Sequence, residues 1–526
     1  MTSSVAEAIL ELLTRHGVRR AFGIPGVHNL PFWDCNLDDD FRIVGVRHEQ
    51  AAAYAADGLY RATGQFAAAL LTSGPGAANA LAAFGEAYVS GSPLLALASD
   101  VSSALKSPDG ERGILHEMKD QAAMFAAFGA TARTARTKQE AMAYSVMAVR
   151  EALARPPAAG YVGIPTDVLG SEWTAAVPHI PSMPAPSVDP HEIAAVAELI
   201  ATSERIVVWL GGGVVQAGAE DAVRDLVDRT GAIVLTSFAG RGLLAGHPGL
   251  VEQADLLLVL GSSFDGMNTK NWKIALPDRR AAICLGDVLP RTIAFDALVK
   301  ADLAPALPLV GEALDGLGYA GRSQWTDVAG IRPAIMADIA GDPRTSSAAA
   351  FVEQVQSGWP TDGAVICDMA VSGYWVGNYT SQPRPRRLQY PVGWGTLGYA
   401  LPAAIGPASV GIPTLAVCGD GGPMFALGEL ATFAQEALPI TLLIVDDGGY
   451  GMLRFDQQVF GHPERGVDLL TPDWVQLGSA FGIDDVTQVS AALDRAHDAN
   501  CRGEARIVVW KHRLYPPRTT SPRWHE

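Results

Sequence analysis

The chain has 526 residues, of which 48% are apolar and 18% are charged, a composition typical of globular proteins and not of disordered ones. Its formal net charge is −17 at pH 7 and it contains no Lys/Arg-rich run, so nucleic acid is excluded as an expected partner. Its length exceeds what one hydrophobic core supports and predicts about three folded units.

The cysteines are scattered and include no C-x-x-C pair; they are Cys35, Cys284, Cys367, Cys418 and Cys501. Several lie in apolar, strand-like segments, which argues against a disulfide framework and predicts a cytoplasmic protein. The first helix opens on a capping box formed by Ser4 and Glu7, a pattern that differs from a secretory signal. No apolar run reaches the roughly 18 residues that span a bilayer, so we expect no membrane association.

Strand-like and helix-like segments alternate along the whole chain, the pattern of α/β domains with parallel sheets. We predict three doubly wound parallel-sheet domains, covering residues 1–170, 185–316 and 345–515. The Pro-rich stretch 179–190 is the predicted linker between the first two.

Two aspartates in the third domain each follow a buried strand. Asp420 ends TLAVCGD and Asp447 ends LLIVDD one strand–helix–strand crossover later, and glycines follow both. In a parallel sheet the two strand ends lie on the same carboxyl edge, where ligands bind. Carboxylates beside a glycine-lined turn suit a divalent cation, magnesium or calcium, that bridges the protein to a diphosphate. The alternative is that both aspartates only cap turns.

The motifs resemble those of the thiamine diphosphate enzymes of the acetolactate synthase, benzoylformate decarboxylase and pyruvate decarboxylase superfamily. The resemblance covers nearly the whole chain, because the following segments occur in family order: FGIPGVHNLP, RHEQAAAYAADGLYRATG, LLTSGPGAANAL, GWGTLGYALPAAIG and GDGG…DDGGYGMLR. It implies a pyrimidine-binding, a middle and a diphosphate-binding domain. One departure is the pair Asp446 and Asp447, where the family usually has two Asn residues.

The resemblance implies the ligands of the cofactor and of its metal. The Mg²⁺ ligands would be Asp420, Asp447 and the Gly449 carbonyl. The residues around thiamine diphosphate would be Gly395, Leu397, Gly421, Gly422, Gly449, Tyr450 and Met452. Of these, the Gly395 carbonyl would bond the aminopyrimidine and Leu397 would wedge the bent cofactor, although a leucine is also ordinary core.

Glu49 of the RHEQ motif is the catalytic residue that the resemblance implies. In the family this glutamate bonds the pyrimidine ring from a neighbouring subunit and drives its tautomerisation to the imino form, whose nitrogen deprotonates the thiazolium carbon. From the residues alone, Glu49 is a first-turn helix glutamate that complements the helix dipole. Because Glu49 and the GDG motif lie on separate domains, the resemblance implies a homodimer or homotetramer with sites at the subunit interface.

Residues over the thiazolium would select the substrate, a small-molecule 2-oxo acid. His28 and His116 are candidates for catalytic proton transfer near neutral pH; the alternatives are a helix-terminal histidine and a surface-loop histidine. The other candidates for substrate contact are Val27, Thr72, Ser73, Glu117 and Leu453. Asp456 stands where acetolactate synthases carry a substrate-recognising Trp.

The expected activity is thiamine diphosphate- and Mg²⁺-dependent decarboxylation of a 2-oxo acid, with release of an aldehyde or ligation to a second carbonyl compound. Two alternatives stay open: a carboligase that condenses two 2-oxo acids as acetolactate synthase does, and a non-catalytic homologue that binds the cofactor. The motifs also resemble those of decarboxylases of longer polar 2-oxo acids, such as the guanidino-oxopentanoate enzyme. Acetolactate synthases hold FAD in the middle domain, but Gly211–Gly213 lacks the G-x-G-x-x-G fingerprint, which favours an enzyme without FAD.

Overall fold

The structure is a computed structural model of the chain and describes residues 3–35, 41–107, 110–181, 187–240, 248–286, 289, 293–382, 384–483, 486–488, 502–518 and 520. Cys501 and residues 182–186 of the predicted linker lie outside the described residues. Cys35, Cys367 and Cys418 carry free thiols. Within the described residues, no helix is long and apolar enough to cross a membrane.

The first unit is a parallel six-stranded sheet in the order β3-β2-β4-β5-β7-β6, with helices around it. A short antiparallel pair, β1 and β8, forms a separate two-stranded sheet. Its strands are β1 (Ser3–Ser4), β2 (Arg20–Gly23), β3 (Arg42–Gly45), β4 (Ala67–Leu71), β5 (Leu94–Asp100), β6 (Thr131–Thr134), β7 (Gly160–Pro165) and β8 (Glu172–Trp173). Its helices are α1 (Val5–Arg15), α2 (Leu30–Trp33), α3 (Glu49–Thr63), α4 (Pro75–Asn79), α5 (Leu81–Val89), α6 (Gln121–Ala126), α7 (Lys138–Ala152) and α8 (Thr166–Leu169).

The second unit is a parallel five-stranded sheet in the order β10-β9-β11-β12-β13. Its strands are β9 (Ile206–Leu210), β10 (Ile233–Thr236), β11 (Leu256–Leu260), β12 (Arg279–Cys284) and β13 (Ala297–Lys300). Its helices are α9 (Pro190–Ala201), α10 (Gly212–Ala217), α11 (Glu220–Thr230) and α12 (Leu303–Gly316). The apolar runs that predicted these strands are almost entirely buried, as both faces of a parallel sheet are covered by helices.

The third unit is a parallel six-stranded sheet in the order β15-β14-β16-β17-β19-β18. Its strands are β14 (Ala364–Cys367), β15 (Leu388–Gln389), β16 (Thr414–Gly419), β17 (Ile440–Asp446), β18 (Val486–Gln488) and β19 (Arg506–Lys511). Its helices are α13 (Ile331–Gly341), α14 (Ser346–Gly358), α15 (Val371–Tyr379), α16 (Ala400–Ala408), α17 (Glu429–Gln435), α18 (Gly451–Val459) and α19 (Trp474–Ala480).

These three parallel sheets flanked by helices confirm the predicted fold class. The boundaries at 1–170, 185–316 and 345–515 stay predictions. The capping box at the start of α1 is present, because the Ser4 side chain accepts a hydrogen bond from the Glu7 N–H. The segment after GDGG is not one continuous helix: a short 3₁₀ turn covers Pro423–Phe425, and α17 begins only at Glu429. Pro423 and Gly428, both poor residues inside a helix, explain the break.

The first and third units pack through α3 and α16. A Cβ at Gly58 of α3 would lie 2.2 Å from the Ala403 carbonyl oxygen, and a Cβ at Gly406 of α16 would lie 2.2 Å from that of Ala55. Glycine on both helices is therefore what allows the two backbones to approach this closely. As a result, the helix that begins at Glu49 is fixed against the domain that carries the GDG motif.

Candidate active site

A cleft opens at the carboxyl ends of β14, β16 and β17 and encloses about 850 Å³, counting the part that is open to solvent. It is lined by residues that directly follow these strands, among them Asp368 after β14 and Asp447 after β17. The structure places nine of the predicted cofactor, metal and substrate residues in its wall: Gly395, Leu397, Gly421, Gly422, Asp447, Gly449, Tyr450, Met452 and Leu453. The sheet edge inferred from the sequence is therefore where this cleft lies.

Negative charge is concentrated at the base of the cleft. The Asp447 N–H donates to Asp420 Oδ1 at 3.4 Å, while Asp420 Oδ2 is buried and has no hydrogen-bond partner among the described residues. Burial, together with the charges of Asp447 and Asp446, raises the pKa of Asp420 to about 7. Burial also raises the pKa of Asp447. A buried carboxylate without a counter-charge is unfavourable, so this pair suits a bound cation.

A cation here would need ligands beyond the protein side chains. Within the described residues, no group of three or more His, Cys, Asp and Glu side chains is arranged to hold a metal ion. Two carboxylates, a backbone carbonyl and the oxygens of a diphosphate form a set of hard oxygen donors of the kind that Mg²⁺ prefers. The donor chemistry of the site therefore fits Mg²⁺ held between the protein and a diphosphate.

Sequence reasoning missed a positively charged side chain at this site, Arg454 of α18. Its guanidinium is buried, with Nη1 3.8 Å from Asp447 Oδ2. Nη2 donates to the Gly448 carbonyl at 3.1 Å and to Asp468 at 2.9 Å. Arg454 therefore compensates part of the Asp447 charge and fixes the turn after β17, but it leaves Asp420 uncompensated.

The Asp446 carboxylate adds to this negative charge but has hydrogen-bond donors of its own. Its carboxylate accepts hydrogen bonds from the Gly448 N–H at 3.3 Å and from the Trp474 indole N–H at 3.1 Å. The two neighbouring aspartates thus have different surroundings: Asp447 lines the cleft, while Asp446 is bonded to its own turn and to α19.

Two glycines bring backbone into the cleft wall because no side chain fits at their positions. A Cβ at Gly422 would lie 2.3 Å from Asp368 Oδ2, and a Cβ at Gly449 would lie 2.0 Å from the Val467 carbonyl oxygen. A Cβ at Gly449 would overlap the backbone, and one at Gly422 would have to displace the Asp368 carboxylate, so glycine keeps the backbone itself in the cleft wall. That surface suits the close approach of a diphosphate.

The segment that carries Gly395 and Leu397 is held by two buried carboxylates. Asp368 accepts hydrogen bonds from the Gly398 and Tyr399 N–H groups at 3.0 and 3.3 Å, and burial raises its pKa to about 6. Glu86 of α5 accepts from the Trp394 N–H at 2.9 Å. Leu397 is 41% exposed and lines the cleft, so it is not the core leucine of the alternative interpretation.

A second group of predicted residues lies on the first unit, around Glu49, the first residue of α3. The Asn79 amide donates to Glu49 Oε2 at 3.0 Å. A Cβ at Gly76 would lie 2.5 Å from Thr72 Cγ2 and 3.1 Å from Glu49 Oε1, so the carboxylate rests against the turn that begins α4. Thr72 Oγ1 is buried without a hydrogen-bond partner among the described residues.

Ser73 joins the two candidate histidines. Its hydroxyl oxygen lies 2.5 Å from His28 Nδ1 and 3.2 Å from His116 Nδ1, and the two imidazole rings meet edge to face at 5.5 Å. Burial and the nearby His116 lower the pKa of His28, whereas Asp100 raises it. His116 has a φ of 69°, a left-handed conformation that is uncommon for a non-glycine residue. We define these three residues as the His–Ser–His cluster.

Two predicted substrate residues have different surroundings. Val27 is 81% exposed. Glu117 accepts hydrogen bonds from the backbone N–H groups of Arg112 and Ile114 at 2.8 and 3.1 Å, which lower its pKa. In the described structure Glu117 therefore stabilises its own loop, and its contact with a substrate stays a prediction.

The two groups of residues do not meet within one chain. All described residues that line the cleft lie between Asp368 and Leu514, so Glu49 and the His–Ser–His cluster are absent from its wall. Several apolar side chains beside the cleft are exposed, including Phe425 and Leu453. In a single chain, a cofactor bound in the cleft would thus be exposed to solvent on the side that these apolar residues flank.

Comparison with known proteins identifies the same three units. The chain matches the thiamine pyrophosphate enzyme N-terminal TPP binding domain over residues 3–124, the central domain over 193–314 and the C-terminal TPP binding domain over 368–507.

Full-length relatives agree. A probable 2-ketoarginine decarboxylase of Pseudomonas aeruginosa is 34% identical over 515 residues, which cover 91% of this chain and 89% of the relative. The acetolactate synthase of Mycobacterium avium is 29% identical over 91% of this chain and 82% of its own length. The acetolactate synthase isozyme 2 large subunit of Escherichia coli is 28% identical over 93% of this chain and 92% of its own length. The chain therefore belongs to the thiamine diphosphate-dependent enzymes of the decarboxylase and carboligase type.

Proposed function

We propose that this chain catalyses the thiamine diphosphate- and Mg²⁺-dependent decarboxylation of a 2-oxo acid. The observation that carries the proposal is the Asp420–Asp447 pair beside a glycine-lined cleft, in which Asp420 has no counter-charge among the described residues. The same chain presents Glu49 at the start of α3. In the net reaction, the bond between the carboxyl and carbonyl carbons breaks and carbon dioxide leaves. A proton then takes its place, so an aldehyde forms without an external oxidant or reductant.

Asp420, Asp447 and the Gly449 carbonyl would hold the Mg²⁺. Gly421, Gly422 and Tyr450 would flank the diphosphate, with Gly395, Leu397 and Met452 against the rings. When bound, thiamine diphosphate supplies the electron sink that stabilises the carbanion left by carbon dioxide. The part of the protein is to orient the reacting groups, exclude water and move protons.

Glu49 would hold the proton that activates the cofactor. The hydrogen bond from Asn79 fixes the direction of its carboxylate. Because Glu49 is absent from the cleft wall of its own chain, we place the complete site between two copies, with Glu49 of one copy facing the cleft of the other. The exposed apolar residues beside the cleft support a partner chain in that position. The assembly is then a homodimer or a homotetramer.

The His–Ser–His cluster would move the proton that ends on the product. His28 and His116 lie on the same domain as Glu49, and the Ser73 hydroxyl bridges them, so a proton can pass between the imidazoles through one side chain. Imidazoles exchange protons near neutral pH. Val27 and Thr72 on this domain, and Leu453 across the cleft, are the proposed substrate contacts.

Two observations favour a decarboxylase without FAD over an enzyme of the acetolactate synthase type. The decarboxylase from Pseudomonas shares more identity with it than the acetolactate synthases do, which favours aldehyde release over carboligation. In the middle domain the Gly213 N–H donates to the Gly261 carbonyl at 2.8 Å, so this amide is not free for a phosphate, which favours an enzyme without FAD. A yellow colour of the purified protein would contradict the absence of FAD. The cytoplasmic location stays a prediction.

The test is carbon dioxide release from a panel of 2-oxo acids, with the organic product identified for each. We expect release that requires both thiamine diphosphate and Mg²⁺ and yields an aldehyde, and we expect Glu49→Gln to abolish it while the cofactor still binds. Acetolactate as the product from pyruvate would instead identify a carboligase. Cofactor binding without release from any acid would identify the non-catalytic homologue.

A further inference from the structure

Asp456 lies one turn beyond the part of α18 that lines the cleft. Met452 and Leu453, in the first turn of this helix, line the cleft. Asp456 follows them by four and three residues, so at 100° per residue its side chain projects between theirs, one turn further from the diphosphate loops. Arg454 and Phe455, on the opposite side of the helix, are buried.

Asp456 has no counter-charge or hydrogen-bond donor among the described residues. Its Oδ1 atom is buried without a hydrogen-bond partner. Burial raises the pKa of Asp456, and no neighbouring charge opposes that effect. Three carboxylate oxygens in the described part of the chain are buried without a hydrogen bond, and they belong to Asp57, Asp420 and Asp456.

The other two carboxylates have an explanation. Asp57 Oδ2 lies 2.8 Å from the Arg61 guanidinium, and Asp420 belongs to the proposed Mg²⁺ site. Only Asp456 then remains to be explained among these three. Buried carboxylates are normally paired, because an unpaired one is costly, so a charge that stays unpaired beside a ligand cleft indicates a cation on the ligand.

Two residues of α15 in the cleft wall support this. Ser372 and Tyr374 of α15 both line the cleft, and Ser372 Oγ is a second buried oxygen without a hydrogen-bond partner among the described residues. Burial and the charge of Asp456 raise the pKa of Tyr374 to about 12, so the carboxylate is near the phenol. An aromatic ring beside a carboxylate is a favourable surface for a cation, and most of all for a planar guanidinium.

We infer that Asp456 binds a positively charged group at the far end of the substrate side chain, so that the substrates are 2-oxo acids that end in a guanidinium or an ammonium group. This inference rests on the proposed function, because it places the reacting end of the same molecule at the cofactor. The charge of Asp456 selects the cation, and the Ser372 hydroxyl supplies one further acceptor.

The test compares the guanidino-oxopentanoate with its ureido isostere, which has the same length and no charge, and with a short neutral 2-oxo acid. For the wild-type holoenzyme we expect kcat/KM to favour the guanidino acid over the ureido acid by roughly 30-fold or more, the lower range for removing one partner of a buried charge pair. Asp456→Asn should remove most of that preference, because it should lower kcat/KM for the guanidino acid far more than for the short neutral acid. The matched control is Asp338→Asn, which changes an exposed aspartate on α13. It should change neither the preference for the guanidino acid nor kcat/KM for the short neutral acid.

The outcomes separate this inference from the proposed function. A wild-type enzyme that decarboxylates 2-oxo acids without preference for the guanidino acid would overturn the assignment of Asp456 and leave the proposed function intact. The same holds if Asp456→Asn keeps the preference. An enzyme that decarboxylates none of the three acids would overturn the proposed function itself. Thiamine diphosphate affinity, measured by quenching of Trp fluorescence, should be equal in wild type and Asp456→Asn and shows that the variant is folded.

Discussion

Glu429 accepts a hydrogen bond from the backbone N–H of His48 at 3.0 Å, one residue before Glu49. The same carboxylate oxygen accepts from the Arg47 N–H at 2.9 Å, and the Thr432 hydroxyl donates to the other oxygen at 2.7 Å. Glu429 opens α17, the helix that follows the GDGG loop. The loop proposed to hold the diphosphate and the backbone that carries the proposed catalytic glutamate are therefore joined by one buried side chain.

This relationship predicts that Glu429 is a positioning residue for Glu49. Glu429→Ala should lower kcat by about 10- to 100-fold, because displacing a reacting group by about 1 Å is enough for such a loss. The affinity for thiamine diphosphate should change little. Glu429→Gln keeps a carbonyl acceptor and should recover part of the rate. Proton exchange at the thiazolium carbon of the holoenzyme, followed without substrate, should slow in the same order, and an unchanged exchange rate in Glu429→Ala would contradict the role.

The other end of α3 is fixed by a buried ion-pair network. Arg61 donates to Asp57 at 2.8 Å and to Glu86 at 3.0 Å, and Glu86 holds the Trp394 N–H of the Leu397 segment. Arg61→Met would leave two buried carboxylates unpaired, and we expect the free energy of unfolding to fall by about 3–5 kcal/mol. Denaturant unfolding of the apoenzyme measures it. Arg224→Met, which breaks an exposed pair with Asp221, is the control and should cost less than about 1 kcal/mol.

The His–Ser–His cluster gives a pH dependence with a definite sign. The neighbouring His116 lowers the pKa of His28, so His116→Gln should raise it. The limb of the kcat/KM–pH profile that depends on His28 should then move to higher pH. NMR titration of the His28 ring should likewise give a higher pKa. His179→Gln, which changes a histidine stacked on His16 at 5.7 Å, is the control. A downward shift in His116→Gln would contradict the arrangement.

The metal site predicts how cofactor binding depends on pH. Because Mg²⁺ binds the deprotonated carboxylate, and the pKa of Asp420 is raised to about 7, Mg²⁺-dependent binding of thiamine diphosphate should strengthen as pH rises through about 7. Asp447→Asn removes a negative neighbour, lowers the pKa of Asp420 and should move that midpoint to lower pH while binding is retained. Titration of the cofactor into apoenzyme at several pH values measures both, and complete loss of binding in Asp447→Asn would show another role for this carboxylate.

Short-range patterns predicted the parts of the site that depend on short-range geometry. Asp420 and Asp447 could be placed on one sheet edge because strands with a helical crossover run parallel, so their ends coincide. Glycines directly after the strands indicated where backbone forms the cleft wall. The fold class followed from the same alternation of strands and helices.

The contacts that fix the site depend on residues far apart in the chain, and the sequence gives no local sign of them. Glu429 bonds His48 across 381 residues, and Glu86 bonds Trp394 across 308. The sequence pattern around Arg454 is that of any exposed helix arginine. Its role depends on Asp468, which the folded chain brings beside the turn after β17. Asp456 could be located in the sequence, but its unpaired charge depends on burial that only the packed structure defines.

The central claim is that each active site combines Glu49 of one copy with the metal cleft of another, and subunit complementation tests it most directly. Glu49→Gln and Asp420→Ala should each be inactive alone. When the two are co-assembled at equal amounts, half of the dimers are hybrids and each hybrid has one intact site, so we expect about a quarter of the wild-type rate of carbon dioxide release. A mixture as inactive as its two parents, with hybrids demonstrated, would show that the site is not shared between chains and would contradict the account.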